Sequence, residues 1–416
     1  MSQLPLLLNE LVDERAGLLK YLTKLDPKPG MPSLHRYLCV IKPLVDYGIN
    51  NISGSGFSIN DEQAKLAAVG EAIERYSSRY FNPEELITST YLDIKDHAFN
   101  PTHVTRHNHD QYAEVDHLQP VEESSTLNWV KTMDYLSQGS VYLPFELVYL
   151  FPSEYKPFRD IISTGLACAP GPDTETAIIG GLNECIERDA FVLFWLLRKA
   201  NFKIDLKQVK DTNIKQLISK ATAAHLTIEL FDITQADLNV PTVLTLVKRR
   251  GKSGFYFGCA TNFNYLTTIK KSLEEGLGGY GAYIESIEYY NTKVPDFKRE
   301  IKQLDDHPLY YISGKNDEIL EDFMFEKLEI ININNLLNRD ITLSAVLQNF
   351  KTLNYNVFYK DLTTLDINEL DLKVVKVICP ELAFLPAGPP MLNCPRIETK
   401  RKMFNVDLNL EPHPFP

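Results

Sequence analysis

The stretch "GGLNECIERDAFVLFW", Gly180–Trp195, is built from core-type residues yet lines up three charges. Leu182, Ile186, Phe191, Leu193 and Trp195 ask for burial, while Glu184, Glu187 and Arg188 stand at i, i+3 and i+4, one stripe of a helix. A second stretch, "AAVGEAIERYSSRYF" (Ala67–Phe81), repeats the pattern with Glu71, Glu74 and Arg75. On a solvated helix such a stripe is a set of internal ion pairs, each worth about 0.2–0.5 kcal/mol. The surroundings argue for more. Ala177, Ile178, Gly180 and Gly181 precede the stripe and an aromatic run follows it, so close packing is expected on most sides. A charge there is costly unless it is paired or meets a cation.

Working outward, each acidic helix follows a glycine-containing turn: "GINNISGSGFSINDEQ" before the first and "ISTGLACAPGPDTETA" before the second. A third segment, "YFGCATNFNYLTTIKKSLEEGLGGYGAY", has the same plan. Ala64 precedes Glu71 by seven residues, Ala177 precedes Glu184 by seven, and Thr268 precedes Glu275 by seven. Internal repetition constrains the whole fold. Helices packed on strands through their apolar faces would leave Glu71, Glu74, Glu184, Glu187 and Glu275 at one shared cavity. Elsewhere, the first 45 residues read as a helical arm ended by "DPKPGMP". Residues 90–130 read as a histidine-rich loop with short strands. "SVYLPFELVYLF", "LTIELFDIT", "PTVLTLVKR", "LNYNVFYKDLT" and "LKVVKVICP" read as strands. The expected class is α+β, with mixed β-sheets, packed helices and repeated turn–helix segments.

The chain has 416 residues, 44% hydrophobic and 24% charged, which suits a large buried core. A formal net charge of −12 without a basic stripe argues against a nucleic-acid partner. Six scattered cysteines with no C-x-x-C pair argue against a disulfide framework or zinc ribbon. The N-terminal apolar run lacks a basic flank and is no signal peptide, and no stretch approaches the roughly 20 apolar residues that span a bilayer. A cytoplasmic protein with no membrane partner is the expectation.

Four carboxylates can hold a hard divalent cation through oxygen, Mg2+ among them, and Arg75, Arg188 and Lys271 can meet phosphate oxygens. The turn Ser53-Gly54-Ser55-Gly56 offers hydroxyls and backbone N–H groups to the same anion. There is no G-x-x-x-x-G-K-[ST] and no kinase H-R-D or D-F-G set. Taken in order, "SGSGFSINDEQAKLAAVGEAIERYSSRYF", "STGLACAPGPDTETAIIGGLNECIERDAF" and "ATNFNYLTTIKKSLEEGLGG" resemble the three nucleotide-site segments of the YcaO family. The ending "NCPRIETKRKMFNVDLNLEPHPFP" resembles the tail of its azoline-forming cyclodehydratases. The resemblance divides the chain into an N-terminal arm (1–45), a YcaO-like ATP-binding catalytic domain (46–390) and a tail ending in P-x-P-x-P (391–416).

By that resemblance Glu71, Glu74, Glu184 and Glu187 are the Mg2+ ligands, and Ser53, Ser55, Arg75, Arg188, Lys271 and Glu275 bind ATP. Ala67 stands where the family has serine, Thr176 where a further acid is common, and Lys271 where arginine is usual. Lysine cannot copy a bidentate guanidinium. The implied activity is ATP-dependent cyclodehydration. A Cys, Ser or Thr side chain of a ribosomal precursor peptide attacks the preceding carbonyl, the amide oxygen is phosphorylated, and a thiazoline or oxazoline forms. The C-terminal carboxylate of Pro416 would serve as base or hydrogen-bond acceptor, delivered by a stiff tail. The implied partners are a leader-peptide-binding protein, the precursor peptide, a flavin-dependent azoline dehydrogenase and a second copy in a homodimer. The alternatives are thioamide or amidine formation by a YcaO enzyme, or a non-catalytic nucleotide-binding scaffold subunit. His103, His107, His109 and His117 lie in a stretch ill suited to a helix and read as a solvated loop rather than a zinc site. Cys185 reads as inert packing, and His413 as a contact residue or part of an exposed end.

Overall fold

The computed structural model describes residues 11, 17–42, 52–104, 107–114, 120–150, 165–301, 303–337, 341–386 and 388–415. Strands β1 (Leu19–Lys24), β2 (His35–Ile41) and β3 (Ser53–Ser58) form an antiparallel sheet in that order, and helix α1 (Asp61–Ser77) follows. Next come β4 (Ile87–Thr90), β5 (Thr126–Asp134), β6 (Ser140–Pro144), β7 (Leu166–Pro170) and helix α2 (Glu175–Leu197). The strands β8 (Phe202–Asp205), β9 (Leu226–Asp232), β10 (Thr242–Arg249), β11 (Phe255–Thr261) and β12 (Ile330–Asn332) make a second sheet ordered β11-β10-β9-β8-β12. Helix α3 (Tyr265–Tyr290) follows β11, and α4 (Asp306–Ile312) lies beyond it. Finally β13 (Phe358–Asp361) and β14 (Leu372–Ile378) complete a third sheet, ordered β4-β5-β13-β14-β7 with β6 on β5, before helix α5 (Pro395–Phe404). The expected α+β class with mixed sheets is what forms.

Three sequence expectations are corrected, the first being the turn Ser53-Gly54-Ser55-Gly56, whose residues lie in strand β3. From residue 17 on, the described part of the N-terminal segment is not helical: it pairs as β1 and β2 with β3 and so extends the sheet that precedes α1. β2 buries Tyr37, Cys39 and Ile41 at alternate positions, as a strand does, and "DPKPGMP" connects it to β1. "SVYLPFELVYLF" is strand only to Pro144; Phe145–Val148 turns helical, burying Phe145, Leu147 and Val148. The strand readings of the other four stretches hold.

The three repeated segments share one construction. β3, β7 and β11 each lie at the edge of a sheet, and each is followed by a long helix packed on it. α1 and α3 start where Asn60 and Asn264 side chains accept N–H bonds from Gln63 and Thr267. A glycine marks each approach of strand to helix: Gly54 within β3, Gly258 within β11, and Gly165 just before β7, where an added Cβ would also lie 2.1 Å from the Val377 carbonyl oxygen of β14. A Cβ on Gly54 would lie 2.3 Å from the Ala68 carbonyl oxygen, and one on Gly165 would lie 2.6 Å from Cys185 Sγ. One on Gly258 would lie 2.2 Å from the Gly276 nitrogen. Measured from the seven-residue register, Ala72, Cys185 and Gly276 are the same helix position. Between the units, β14 is buried on both faces: Leu372, Val374 and Ile378 join the core under α1, while Val375 and Val377 join the core under α2.

The glycine approach predicts a contrast. Gly258→Ala must push strand and helix backbones apart and should lower stability by at least about 2 kcal/mol. Gly70→Ala, in α1 with nothing within 4 Å of the added carbon, should raise it by about 0.5–1 kcal/mol. Thermal unfolding of the two variants checks both; equal melting temperatures would refute the close-contact account.

Candidate active site

The carboxylates of the three units are aimed at strand backbone. Glu71 accepts the Ser55 N–H at 2.5 Å, and Glu184 accepts the N–H groups of Gly165 and Leu166 at 2.8 and 2.9 Å. These bonds join each helix to its own strand. One turn further on, Glu74 accepts the Cys168 N–H of β7 at 2.7 Å, and Glu187 accepts the Thr261 N–H of β11 at 3.0 Å. These join each helix to the strand of the next unit. In the repeat register Cys168 and Thr261 are equivalent, and the matching residue of β3 is Phe57. The helix position opposite Phe57 is Gly278, where an added Cβ would lie 2.4 Å from the phenyl ring. The third junction therefore holds an aromatic ring in place of a carboxylate. α3 is tied to the first unit instead by Glu274, which accepts from Ser58 Oγ at 2.6 Å and the Ile59 N–H at 3.0 Å.

Arg75 sits outermost, pairing with Glu71 at 2.6 Å and donating to the Ser53 carbonyl oxygen at 2.9 Å. Arg188 lies deeper, with long ion pairs to Glu184 (3.6 Å) and Glu187 (3.5 Å). Among the described residues, its buried Nε and one terminal nitrogen have no hydrogen-bond acceptor. Burial, then repulsion from Glu184 and Glu71, holds the Glu74 carboxyl far above its usual range despite its bond to the Cys168 amide. Burial likewise raises Glu187 to about 7, with Arg188 opposing the shift and Glu184 adding to it. Burial and repulsion from Glu187 raise Glu275 to about 8 against the pull of Arg188 and Lys271. These mutual interactions put Glu71, Glu74, Glu184, Glu187, Glu275, Arg188 and Lys271 in one electrostatic neighbourhood.

Sequence reasoning missed Lys376, fully buried in the middle of β14, where burial lowers the ammonium to about 8 and Glu184 opposes the shift. A second lysine, three residues after Lys373 and flanked by valines in "LKVVKVI", was the available signal. It also missed how the tail docks. Trp195 Nε1 donates to the Glu411 carbonyl (2.8 Å), Tyr311 Oη to that of Pro412 (2.6 Å) and His307 Nδ1 to that of His413 (2.8 Å). Phe415 is completely buried, 4.5 Å from the Phe191 ring, with the Arg188 guanidinium 4.5 Å over its own ring. The tail thus reaches the second acidic stripe, and His413 is a buried contact residue. Pro416 lies outside the described residues, as do His117 and the side chain of His109. His103 stacks edge-on against Phe99 and His107 is buried against Tyr112. Cys185 packs in the core under α2.

A divalent cation with phosphate would answer two features of this charge pattern. A crowded set of carboxylates is short of positive charge, and a buried guanidinium has donors with no acceptor. Among the described residues no three His, Cys, Asp or Glu side chains converge closely enough to hold a metal. The physical reason is visible: Glu71, Glu74, Glu184 and Glu187 are turned onto backbone N–H groups.

The raised carboxyls set a pH dependence. A carboxyl whose folded-state value lies above its ordinary 4.5 binds a proton preferentially in the folded state, so stability falls as pH rises toward 8. In the nucleotide-free protein, Glu275→Gln removes one such group, so its melting temperature should gain on wild type steadily between pH 5 and about 8. Parallel melting curves for the two proteins across that range would contradict the assignment.

Residues 55–383 match the family described as YcaO cyclodehydratase, ATP- and Mg2+-binding. An uncharacterized protein of Methanothermobacter thermautotrophicus is 26% identical over 364 residues, covering 84% of this chain and 86% of that protein. Among solved structures, a heterocyclase in complex with substrate and cofactor superposes with a TM-score of 0.77 at 21% identity, covering 99% of this chain. The chain spans only 57% of that heterocyclase. YcaO from Methanopyrus kandleri bound with AMPPCP and Mg2+ superposes with a TM-score of 0.64 at 15% identity, covering 92% of this chain and 90% of that one. A chain of the E. coli microcin synthetase McbBCD complex gives 0.60 at 16% identity, with 87% and 88% covered.

Proposed function

This chain belongs to the YcaO family of ATP- and Mg2+-binding cyclodehydratases, and we propose that it converts Cys, Ser or Thr residues of a ribosomally made precursor peptide to thiazoline or oxazoline. The observation that carries the reading is the gathering of Glu184, Glu187 and Glu275 around Arg188, whose buried Nε and one terminal nitrogen lack acceptors among the described residues. Glu71, Glu74, Glu184 and Glu187 would hold Mg2+, while Arg75, Arg188, Lys271, Ser53, Ser55 and Glu275 would face the nucleotide. Bound MgATP supplies the phosphoryl group that turns an amide oxygen, a very poor leaving group, into a good one. The protein's part is positioning and charge neutralisation. Arg188 would present donors from a largely buried position, where the lower local dielectric strengthens each bond made to a phosphate oxygen. Lys271, exposed at the start of the third stripe, adds a point charge.

The same reading assigns residues 46–390 to the catalytic domain and the tail to its completion. The docking of residues 411–415 on α2 and α4 supports that role for the tail. A separate leader-peptide-binding protein is the assigned partner, supported by the likeness to a chain of a synthetase complex. A homodimer and a flavin-dependent dehydrogenase acting after ring closure complete the assignment. Among the described residues no helix is long and apolar enough to cross a membrane, which fits a cytoplasmic site of action.

Peptide mass tests the reading. Supplied with ATP, Mg2+, precursor and the leader-binding partner, the enzyme should remove about 18 Da per ring. Glu187→Gln should cut ring formation and ATP turnover by about two orders of magnitude or more, with circular dichroism unchanged. A variant that cyclises at the wild-type rate would exclude Glu187 from the site and favour a scaffold role.

A further inference from the structure

Arg188 poses a geometric problem. A buried arginine is ordinarily fixed by acceptors that use its five donors, yet here Nε and one terminal nitrogen have none, and both carboxylate partners stand at 3.5 Å or beyond. Hydrogen bonds do not define the plane of this guanidinium. Among the described residues, a contact that can is the ring of Phe415, with the guanidinium carbon 4.5 Å over its centroid. Guanidinium donors lie in the plane of the group, so a ring against its face fixes orientation without consuming a donor.

We propose that Phe415 is a positioning residue for nucleotide binding: its ring holds the Arg188 guanidinium flat and leaves the in-plane N–H groups free for phosphate oxygens. The proposal rests on the reading of Arg188 as a phosphate ligand. Phe415 is itself well placed for the task. Its ring packs on Phe191, one turn along α2 from Arg188. Its N–H donates to His413 Nδ1 at 3.3 Å, so Nε2 of that imidazole carries the proton and donates to the Pro386 carbonyl at 2.8 Å. The His413 ring stacks on His307 with centroids 4.0 Å apart, and His307 Nδ1 donates to the His413 carbonyl. Ring, backbone and neighbouring imidazoles thus fix Phe415 from three sides, and Phe415 passes that order to a cation 227 positions earlier in the chain.

The test is a binding cycle on the full chain with Mg·AMPPCP as probe, read by calorimetry beside melting temperatures. Phe415→Leu should weaken binding about tenfold and Phe415→Tyr should hold close to wild type, because a ring face is what counts. Arg188→Lys should weaken binding strongly in wild type, and the same change should cost much less in the Phe415→Leu background, where the guanidinium is already loose. If Phe415→Leu does not fold, Phe415→Met and Phe415→Tyr are compared instead, with the same tenfold gap expected. Leucine or methionine binding as well as tyrosine, while Arg188→Lys still weakens binding, overturns the positioning role alone. Arg188→Lys binding like wild type overturns the phosphate-ligand reading on which it rests.

Discussion

The structure depends on a carboxylate accepting a hydrogen bond from a strand amide across a gap that only glycine permits. In each unit the strand rides directly on the helix because Gly54, Gly165 or Gly258 has no side chain to hold it away. That proximity puts the amides of Ser55, Gly165 and Leu166 within reach of glutamates on the adjoining helices. The amides satisfy one oxygen of each carboxylate, which offsets part of what burial costs. The second set of glutamates, Glu74 and Glu187, reaches the next unit, and Glu274 closes the arrangement by tying the third unit to the first. Loss of the glycine contact would therefore remove both the packing and the reason the carboxylates can be inside.

The arrangement is in electrostatic tension, since amide dipoles do not neutralise charge. Glu187 and Glu275 answer by holding protons at pH values where a solvated carboxyl would be ionised. A divalent cation would do the same job with two charges in place of a proton, so cation binding and deprotonation are expected to be linked. Lys376 contributes a further buried charge from the β14 side, beside Glu184. Most carboxylates in the set already have an amide partner, so what a ligand must supply is charge rather than hydrogen bonds.

The stripes Glu71/Glu74/Arg75 and Glu184/Glu187/Arg188 were legible because helical period and composition conflict there, and that conflict survives in a bare sequence. The three-unit plan was legible from the seven-residue spacing to Glu71, Glu184 and Glu275. What stayed hidden was the strand half of each unit. Seventeen residues separate Gly54 from Glu71 and Gly258 from Glu275, but nineteen separate Gly165 from Glu184, so the glycines do not align without a gap. The partners of Glu74 and Glu187 lie 94 and 74 residues away, pairings that no local pattern encodes. The N-terminal strands were misread because β1 is largely exposed and offers little alternation. Phe415 and His413 were legible only as part of a proline-rich ending; their burial depends on a groove built by α2 and α4.

Ribosomal synthesis meets this architecture in a particular order. The acidic stripes on α1 and α2 emerge in the first half of the chain, but the ring that lies on Arg188 is residue 415. Until that residue clears the exit tunnel, a nascent chain carries a partly assembled carboxylate cluster with its guanidinium uncovered. Contacts of such separation form late and slowly. A translation product interrupted before Phe415 would leave the Arg188 guanidinium without that ring.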